Sequence, residues 1–417
     1  MINIIDKSKC SGCSACMSVC PVQCIGMEPD CEGFLYPKIT ERSCIGCGKC
    51  EKVCPVLNLS YSPKPSFPKA YLTYDDDLEE RIASAAGGAF TAVARNFIEK
   101  YQGIVFGAAY REDFSVHHIG IETIEELSLL QKSKYVQSDM EDCYTRIHFF
   151  LKHGRYVLFS GTACQIYGLK SYLGREYEKL YCVDVICYGV PSPKIFSRYL
   201  EFMSQKYGRI NKVIVRDKEI KRKRFQMGYG ILFQSGFKYF ARHSIDPMAR
   251  IFYGKIASRP ICYECPYKTI WRISDLTVGD CWYGSEFIPG YVDRYGITLA
   301  LCQSDKGMKL LTNNKYIVKY VVPTEEIAKV NGGMLYSSCQ KPNNREQFFL
   351  DAFSMEFDLL ADKYFPVKRE ALKSRIRRWL IDLGLLPEVI DHKVRQKKIQ
   401  NMIKNRVIPS EAKSLAE

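Results

Sequence analysis

The chain is 417 residues long, 47% hydrophobic and carries a formal net charge of +14. That length and apolar content exclude a disordered chain or a miniature scaffold, and predict a main domain with one or two satellites. No stretch approaches the roughly 18 apolar residues of a membrane span, and "MINIIDKSKC" is too short and polar for a signal-peptide core, so a cytoplasmic location is expected.

Cysteine usage narrows the class further. Nineteen cysteines, an odd number, disfavour a disulfide framework in a chain without an export signal and point to metal-bound thiols. Eight of them fall in two copies of C-x2-C-x2-C-x3-C-P, "CSGCSACMSVCP" at 10–21 and "CIGCGKCEKVCP" at 44–55. A zinc ribbon takes its ligands as two separated pairs. Three cysteines spaced by two residues instead let one short loop wrap three corners of a cuboidal cluster, with the Cys-Pro thiol crossing to the neighbouring cluster. The expected 4Fe-4S ligands are Cys10, Cys13, Cys16 and Cys54 for one cluster, and Cys44, Cys47, Cys50 and Cys20 for the other. The small residues Gly12, Ser14, Ala15, Gly46 and Gly48 leave backbone amides free to face the sulfides. Between the repeats a hairpin turns at "PDCEG", and Cys24 and Cys31 read as spare because both cages are full. Two such clusters move single electrons and transform no substrate, so the rest of the chain accepts or delivers those electrons.

Residues 1–62 therefore read as a dicluster ferredoxin domain and the proline-rich 63–69 as an extended linker. Over 70–360, strand-like runs at 103–110, 155–161, 180–189, 212–220, 230–235 and 296–303 alternate with amphipathic helices such as 89–101 and 193–208. This predicts a mixed α/β body, without a strand order. Three loops in it look like a pocket. In "SAAGGAFTA", Ser84–Ala92, Gly87 and Gly88 precede a helix whose free amides favour an anion, although a lone Gly-Gly more often serves close packing. In "LFSGTACQIYGLKSYL", a strand ends at Ser160-Gly161 and Thr162 caps a helix, with Cys164 and Gln165 on its first turn. A cysteine there is expected to have a lowered pKa, as a metal ligand or reactive thiol, with a small buried core residue as the alternative. The third combines "VDVICYGVPSP" with "CYECPYKTIWRISDLTVGDCWYG". Cys164, Cys187, Cys262 and Cys265 make a set of four thiols, which leaves a third cluster open.

The motifs "SAAGGAFTA", "QKSKYVQSD", "SGTACQIYGL", "VICYGVPSP", "CYEC" and "DLTVGDCWYG", in this order behind a dicluster ferredoxin, resemble the coenzyme F420 hydrogenase/dehydrogenase beta-subunit family up to about residue 305. The resemblance implies FAD in the α/β body exchanging electrons with the clusters. It makes Ser84, Gly87, Gly88, Thr91, Ser133, Lys134, Tyr135, Gly161 and Thr162 candidate flavin or substrate contacts. It also favours Cys164, Cys187, Cys262 and Cys265 as cluster ligands. Relatives reduce a deazaflavin, a chlorophyll derivative or other acceptors, and bacterial members with an N-terminal ferredoxin accompany surface-polysaccharide genes. Ala163 departs from a frequent family proline.

A flavin suits the chemistry, since it connects one-electron clusters to two-electron organic substrates. Lys134 is the expected cation for its pyrophosphate, and Arg216 and Lys218 are expected to face the flavin or an anionic acceptor. The neighbouring "KRKR" at 221–224 reads as a solvated turn. Asp275 and Asp280 suit a proton relay, but a turn-forming Asp beside Gly279 is the commoner account. His117 and His118 alternate along a strand and face opposite sides. The tail, 361–417, holds 14 Lys/Arg against 7 Asp/Glu. Within it, 367–384 places Leu372, Ile376, Trp379, Leu380 and Leu383 on one helical face with Lys373, Arg375, Arg377 and Arg378 around it. Docking on the protein's own body is expected; peripheral contact with an anionic membrane or an acidic partner is the alternative. No reading motif for nucleic acid accompanies the charge. Three functions follow: an FAD and iron–sulfur oxidoreductase acting on a small organic acceptor, an electron-transfer subunit serving a catalytic partner protein, or a cluster-bearing sensor module.

Overall fold

The computed structural model describes residues 2–59, 66–221, 224–288, 295–367, 376, 380, 389–406 and 408. The two cysteine repeats fold alike. Each runs through a left-handed turn into a single helical turn: Gly12 and Ser14 (φ 66° and 64°) lead to helix Ala15–Ser18, and Gly46 and Gly48 (φ 68° and 67°) lead to helix Lys49–Lys52. Between them β1 (Ile25–Pro29) pairs antiparallel with β2 (Leu35–Ile39), forming the expected hairpin. Cys20 and Cys54 stand just beyond the helical turns rather than on them. The interior of this lobe is Ile2, Ile25 and four thiols, Cys16, Cys24, Cys50 and Cys54. That is little hydrocarbon for some fifty residues, and the hairpin's Phe34 and Tyr36 are buried elsewhere, against the rest of the chain.

The body is a mixed α/β structure. Its eight-stranded sheet runs β13 (Ile317–Val322), β3 (Lys69–Asp75), β12 (Thr298–Cys302), β11 (Leu276–Asp280), β7 (Leu180–Val185), β6 (Val157–Thr162), β4 (Ile104–Tyr110), β5 (Val116–Ile121). The centre, β11-β7-β6-β4, is parallel and the flanks are antiparallel. Parallel strands are covered on both faces, so their apolar residues divide by parity. Leu158 and Val183 pack with helix Ala89–Tyr101 on one side, while Val157, Phe159 and Cys182 pack with helices Cys143–Lys152 and Ala163–Leu173 on the other.

A long insertion separates β7 from β11. It holds helix Pro193–Tyr207, the antiparallel sheet β8 (Ile210–Lys221), β9 (Arg224–Phe233) and β10 (Lys238–Arg242), and helix Pro247–Tyr253. Its core takes in Phe34 and Tyr36 from the ferredoxin hairpin, so the N-terminal lobe packs into this insertion. Helix Val389–Asn405 lies against the body, with Ile399 buried and Gln396 Nε2 donating to Glu286. The amphipathic stretch 367–384 lies almost wholly outside the described residues, as do Pro63 and Pro65 of the linker and part of the basic run 221–224. Among the described residues no helix is long and apolar enough to cross a membrane.

Candidate functional site

The parallel strands end their carboxyl edges on one cavity of about 320 Å³, where α/β sheets commonly place ligands. At the end of β6, Thr162 caps helix Ala163–Leu173 in a reciprocal box: its own amide donates to Gln165 Oε1 at 2.9 Å. Gln165 Nε2 then donates to Ser138 Oγ at 2.8 Å, tying the 131–138 loop to the helix. Cys164 sits on the first turn, with its Sγ 3.0 Å from Thr162 Oγ1. Burial drives its thiol well above the ordinary range, reinforced by Cys265, Cys187 and Cys262 and opposed by Thr162. This corrects the expected lowering, because desolvation outweighs the helix terminus.

The glycine loop is built by cations behind it. Lys218 Nζ donates to the carbonyls of Arg81 (2.6 Å), Ala86 (2.5 Å) and Tyr295 (2.8 Å). Lys132 donates to Ile82 (2.8 Å), and Arg216 to Ala85 (3.0 Å). With carbonyls turned outward, the amides of Ala85, Ala86, Gly88, Ala89 and Phe90 have no acceptor among the described residues. They stand at the N-terminus of helix Ala89–Tyr101, whose dipole adds positive potential. Arg216 occupies a bulge of β8 at φ 61°, a left-handed geometry uncommon outside glycine. The bulge turns its guanidinium into the cavity wall, where it clamps Asp280 through both nitrogens and donates to Tyr135 Oη at 3.3 Å.

Thiols surround three further points. Cys10, Cys13, Cys16 and Cys54 line one small void of about 20 Å³. Cys44, Cys47, Cys50 and Cys20 line a second of similar size, and Cys24 joins them with its Sγ 3.5 Å from that of Cys20. Amides donate to the sulfurs of Cys10 (from Gly12, 3.4 Å), Cys50 (from Ile2, 3.4 Å) and Cys187 (from Gly189, 3.3 Å). In the body, Cys164 and Cys187 face the large cavity, while Cys262 and Cys265 stand close enough to share their field. Burial, then the charges of Cys187 and Cys265, push Cys262 up to about 12. A bound metal would displace the protons of such thiols. Among the described residues no three His, Cys, Asp or Glu side chains converge on a single-ion site; the two ferredoxin quartets instead enclose voids.

Comparison with known proteins bears on the same two regions. Residues 9–58 match the 4Fe-4S dicluster domain, and residues 154–327 match the C-terminal region of the coenzyme F420 hydrogenase/dehydrogenase beta subunit. The chain thus joins a 4Fe-4S dicluster domain to a region similar to the C-terminal part of that beta subunit. A chain from the xenon-derivatized F420-reducing NiFe hydrogenase complex of Methanosarcina barkeri is 14% identical, over 74% of this chain and 92% of that one, with a TM-score of 0.43. No curated protein matches the sequence. A dicluster domain joined to an F420-type beta-subunit body makes this an iron–sulfur electron-transfer protein.

In this body, Ser84, Gly88, Thr91, Ser133, Lys134, Tyr135, Gly161 and Thr162 all line the large cavity. Gly87 does not: a side chain there would meet Thr73 O at 2.6 Å and Thr298 N at 2.8 Å, so it serves close backbone packing. Ser84 and Thr91 bond each other at 2.7 Å. Lys134 gives its hydrogens to the carbonyls of Gln131 (2.7 Å) and Leu129 (3.0 Å), and burial lowers it to about 7, which weakens it as a fixed cation. Arg216 and Lys218 are likewise spent on protein partners. Asp280 is an ion-pair partner, and Asp275 accepts from the Cys182 amide at 2.8 Å. Cys24, read as spare, lines the second cage. Sequence reasoning missed Gln137, Tyr188, Phe252, Tyr253 and Trp282 on the cavity wall, and also Ser11 and Gly12, which reach it from the ferredoxin lobe. His118 faces the cavity and His117 pairs with Glu141, as their alternation predicts.

Proposed function

We propose that this chain is an iron–sulfur flavoprotein oxidoreductase that passes electrons between 4Fe-4S clusters and FAD, to or from a small organic acceptor. One observation carries the reading: a single cavity is walled by the amide-rich glycine loop, by the Ser11–Gly12 turn of the first cysteine repeat, and by Cys164 and Cys187. Electron carriers held by these groups would all border one ligand. Cys10, Cys13, Cys16 and Cys54 would hold the inner ferredoxin cluster, Cys44, Cys47, Cys50 and Cys20 the outer one, and Cys164, Cys187, Cys262 and Cys265 a third.

The cavity's chemistry fits FAD. The unpartnered amides of Ala85, Ala86, Gly88, Ala89 and Phe90 suit its pyrophosphate. Two buried polar atoms of cavity-lining residues await partners: Gln137 Nε2 as donor and His118 Nδ1 as acceptor, the latter because Nε2 already donates to Ser160 O at 3.2 Å. Tyr135 stacked on Phe252 at 4.1 Å, with Tyr188 and the half-exposed Trp282, offers flat apolar faces for an aromatic ring. When bound, a flavin supplies the exchange between one- and two-electron chemistry. The protein's part is to bind it, orient its ring and exclude water.

A second reading, an electron-transfer subunit serving a catalytic partner protein, is favoured by the beta-subunit description of the matching family. Anaerobic purification of the full chain tests both. Extraction should yield FAD, and iron analysis should give about twelve irons with a body cluster or about eight without it. Turnover of a defined acceptor by the isolated chain supports the enzyme; flavin reduction without turnover supports the electron-transfer role. Colourless, zinc-loaded protein without flavin would overturn both.

A further inference from the structure

Among the described residues Arg259 is the largest fully buried side chain, and the functional reading above gives it no task. It belongs to the body, three residues before Cys262, yet its guanidinium lies inside the ferredoxin lobe. Nε donates to Cys10 O at 2.8 Å, Nη2 to Leu35 O at 2.9 Å, and Nη1 to Gln137 Oε1 at 3.0 Å. Nη2 also approaches Cys10 Sγ at 3.6 Å, and Cζ lies 4.1 Å from the centre of the Tyr36 ring. Gly12 makes this approach feasible. At φ 66° it carries no side chain, and a Cβ there would lie 2.9 Å from Arg259 Nη1 and 2.5 Å from Gln137 Nε2.

Every hydrogen-bond partner of this cation is neutral except the sulfur. An arginine stripped of water without a counter-charge is strongly unfavourable. Arginine keeps its proton in proteins, so it cannot escape the cost by becoming neutral. The missing anion must therefore be something the Cys10 quartet holds. A cluster bound by four thiolates is net negative, and the guanidinium fork is aimed at one of its ligand sulfurs. The same side chain stands between two cages, since its charge is also felt at Cys262.

We infer that Arg259 is the buried counter-charge of the inner ferredoxin cluster and raises that cluster's reduction potential at the junction with the body. A nearby positive charge and an N–H···S hydrogen bond both favour the state with one more electron. Arg259 is thus a positioning and tuning residue: it acts through Cys10 and does not touch the substrate. The inference rests on the reading that Cys10, Cys13, Cys16 and Cys54 hold a 4Fe-4S cluster.

The test uses the full chain, purified anaerobically with nitrogen-15-labelled arginine and reduced stepwise with dithionite under EPR detection. Arg259→Met and Arg259→Lys are measured beside the wild type, and iron is counted in each. Unchanged iron with one midpoint potential shifted lower in Arg259→Met, and shifted less in Arg259→Lys, is the expected result. Pulsed EPR of the reduced wild type should show a nitrogen-15 coupling to that same cluster. Unchanged iron with coincident midpoints overturns the inference. If Arg259→Met loses iron or fails to fold, the wild-type coupling decides, its presence supporting the inference and its absence overturning it. Wild-type protein with too little iron for the ferredoxin pair would instead overturn the underlying reading.

Discussion

His118 is 4% exposed, and burial lowers its pKa from 6.5 to about 4. The unfolded chain therefore binds a proton that the native state resists. The stabilising contribution is full above pH 6.5 and is lost as pH falls toward 4, worth up to about 3 kcal/mol. His118→Gln, which keeps a donor for Ser160 O, should lack this component of acid destabilisation when melting temperature is followed across that window. Arg216 makes the complementary case. Replacing it with methionine leaves Asp280 without its cation and frees the Ala85 carbonyl. A loss of about 3 kcal/mol in chemical denaturation is expected, because the partner's charge stays partly buried.

Helix Ala163–Leu173 links the cavity to the ferredoxin lobe. Its first turn presents Cys164 to the cavity, and its middle turn meets the ferredoxin lobe. At Gly168 a Cβ would lie 2.8 Å from Tyr144 Oη and 3.0 Å from Cys13 Sγ, so only glycine lets the inner thiol loop rest on the helix. Gly168→Val should therefore lower iron content and broaden the EPR signal of the inner cluster, with the outer one retained. Thr162→Ala removes one half of the capping box and should cost about 1 kcal/mol in thermal unfolding. The capping threonine and the glycine loop were legible in the sequence because caps and turns are decided within a few residues. The spent state of Lys134 and Lys218 was not, since it depends on carbonyls of the chain's own loops, for Lys218 over 70 residues away.

At the scale of the whole molecule, the ferredoxin lobe is held by the buried Phe34 and Tyr36 and by a few polar anchors. Arg345 grips Glu32 with both nitrogens, at 2.7 and 2.5 Å, Lys194 donates to Cys31 O at 3.2 Å, and Arg259 enters from behind. Arg345→Met should loosen the lobe, seen as faster proteolytic release of an N-terminal fragment from an otherwise intact body. Iron chelation should act differently. With a core made mostly of thiols, the lobe should lose hydrogen-exchange protection across β1 and β2 while β4, β6 and β7 keep theirs.

Cysteine spacing proposed two quartets, and the structure lines one void with Cys10, Cys13, Cys16 and Cys54 and another with Cys44, Cys47, Cys50 and Cys20, three of each from one short loop and the fourth from the other repeat. Part of the strand and helix pattern followed from local periodicity: helix Ala89–Tyr101 and β4 stand where the pattern puts them, whereas β3, β10, β11 and β13 lie where no strand was predicted. Folding in three dimensions decided the strand order, the nearness of Cys24 to Cys20, and the burial that lifts Cys164 instead of lowering it. It also decided that Arg259 reaches a sulfur 249 positions earlier in the chain. Desolvation and long-range charge depend on what packs around a group, and that is settled only when distant segments meet.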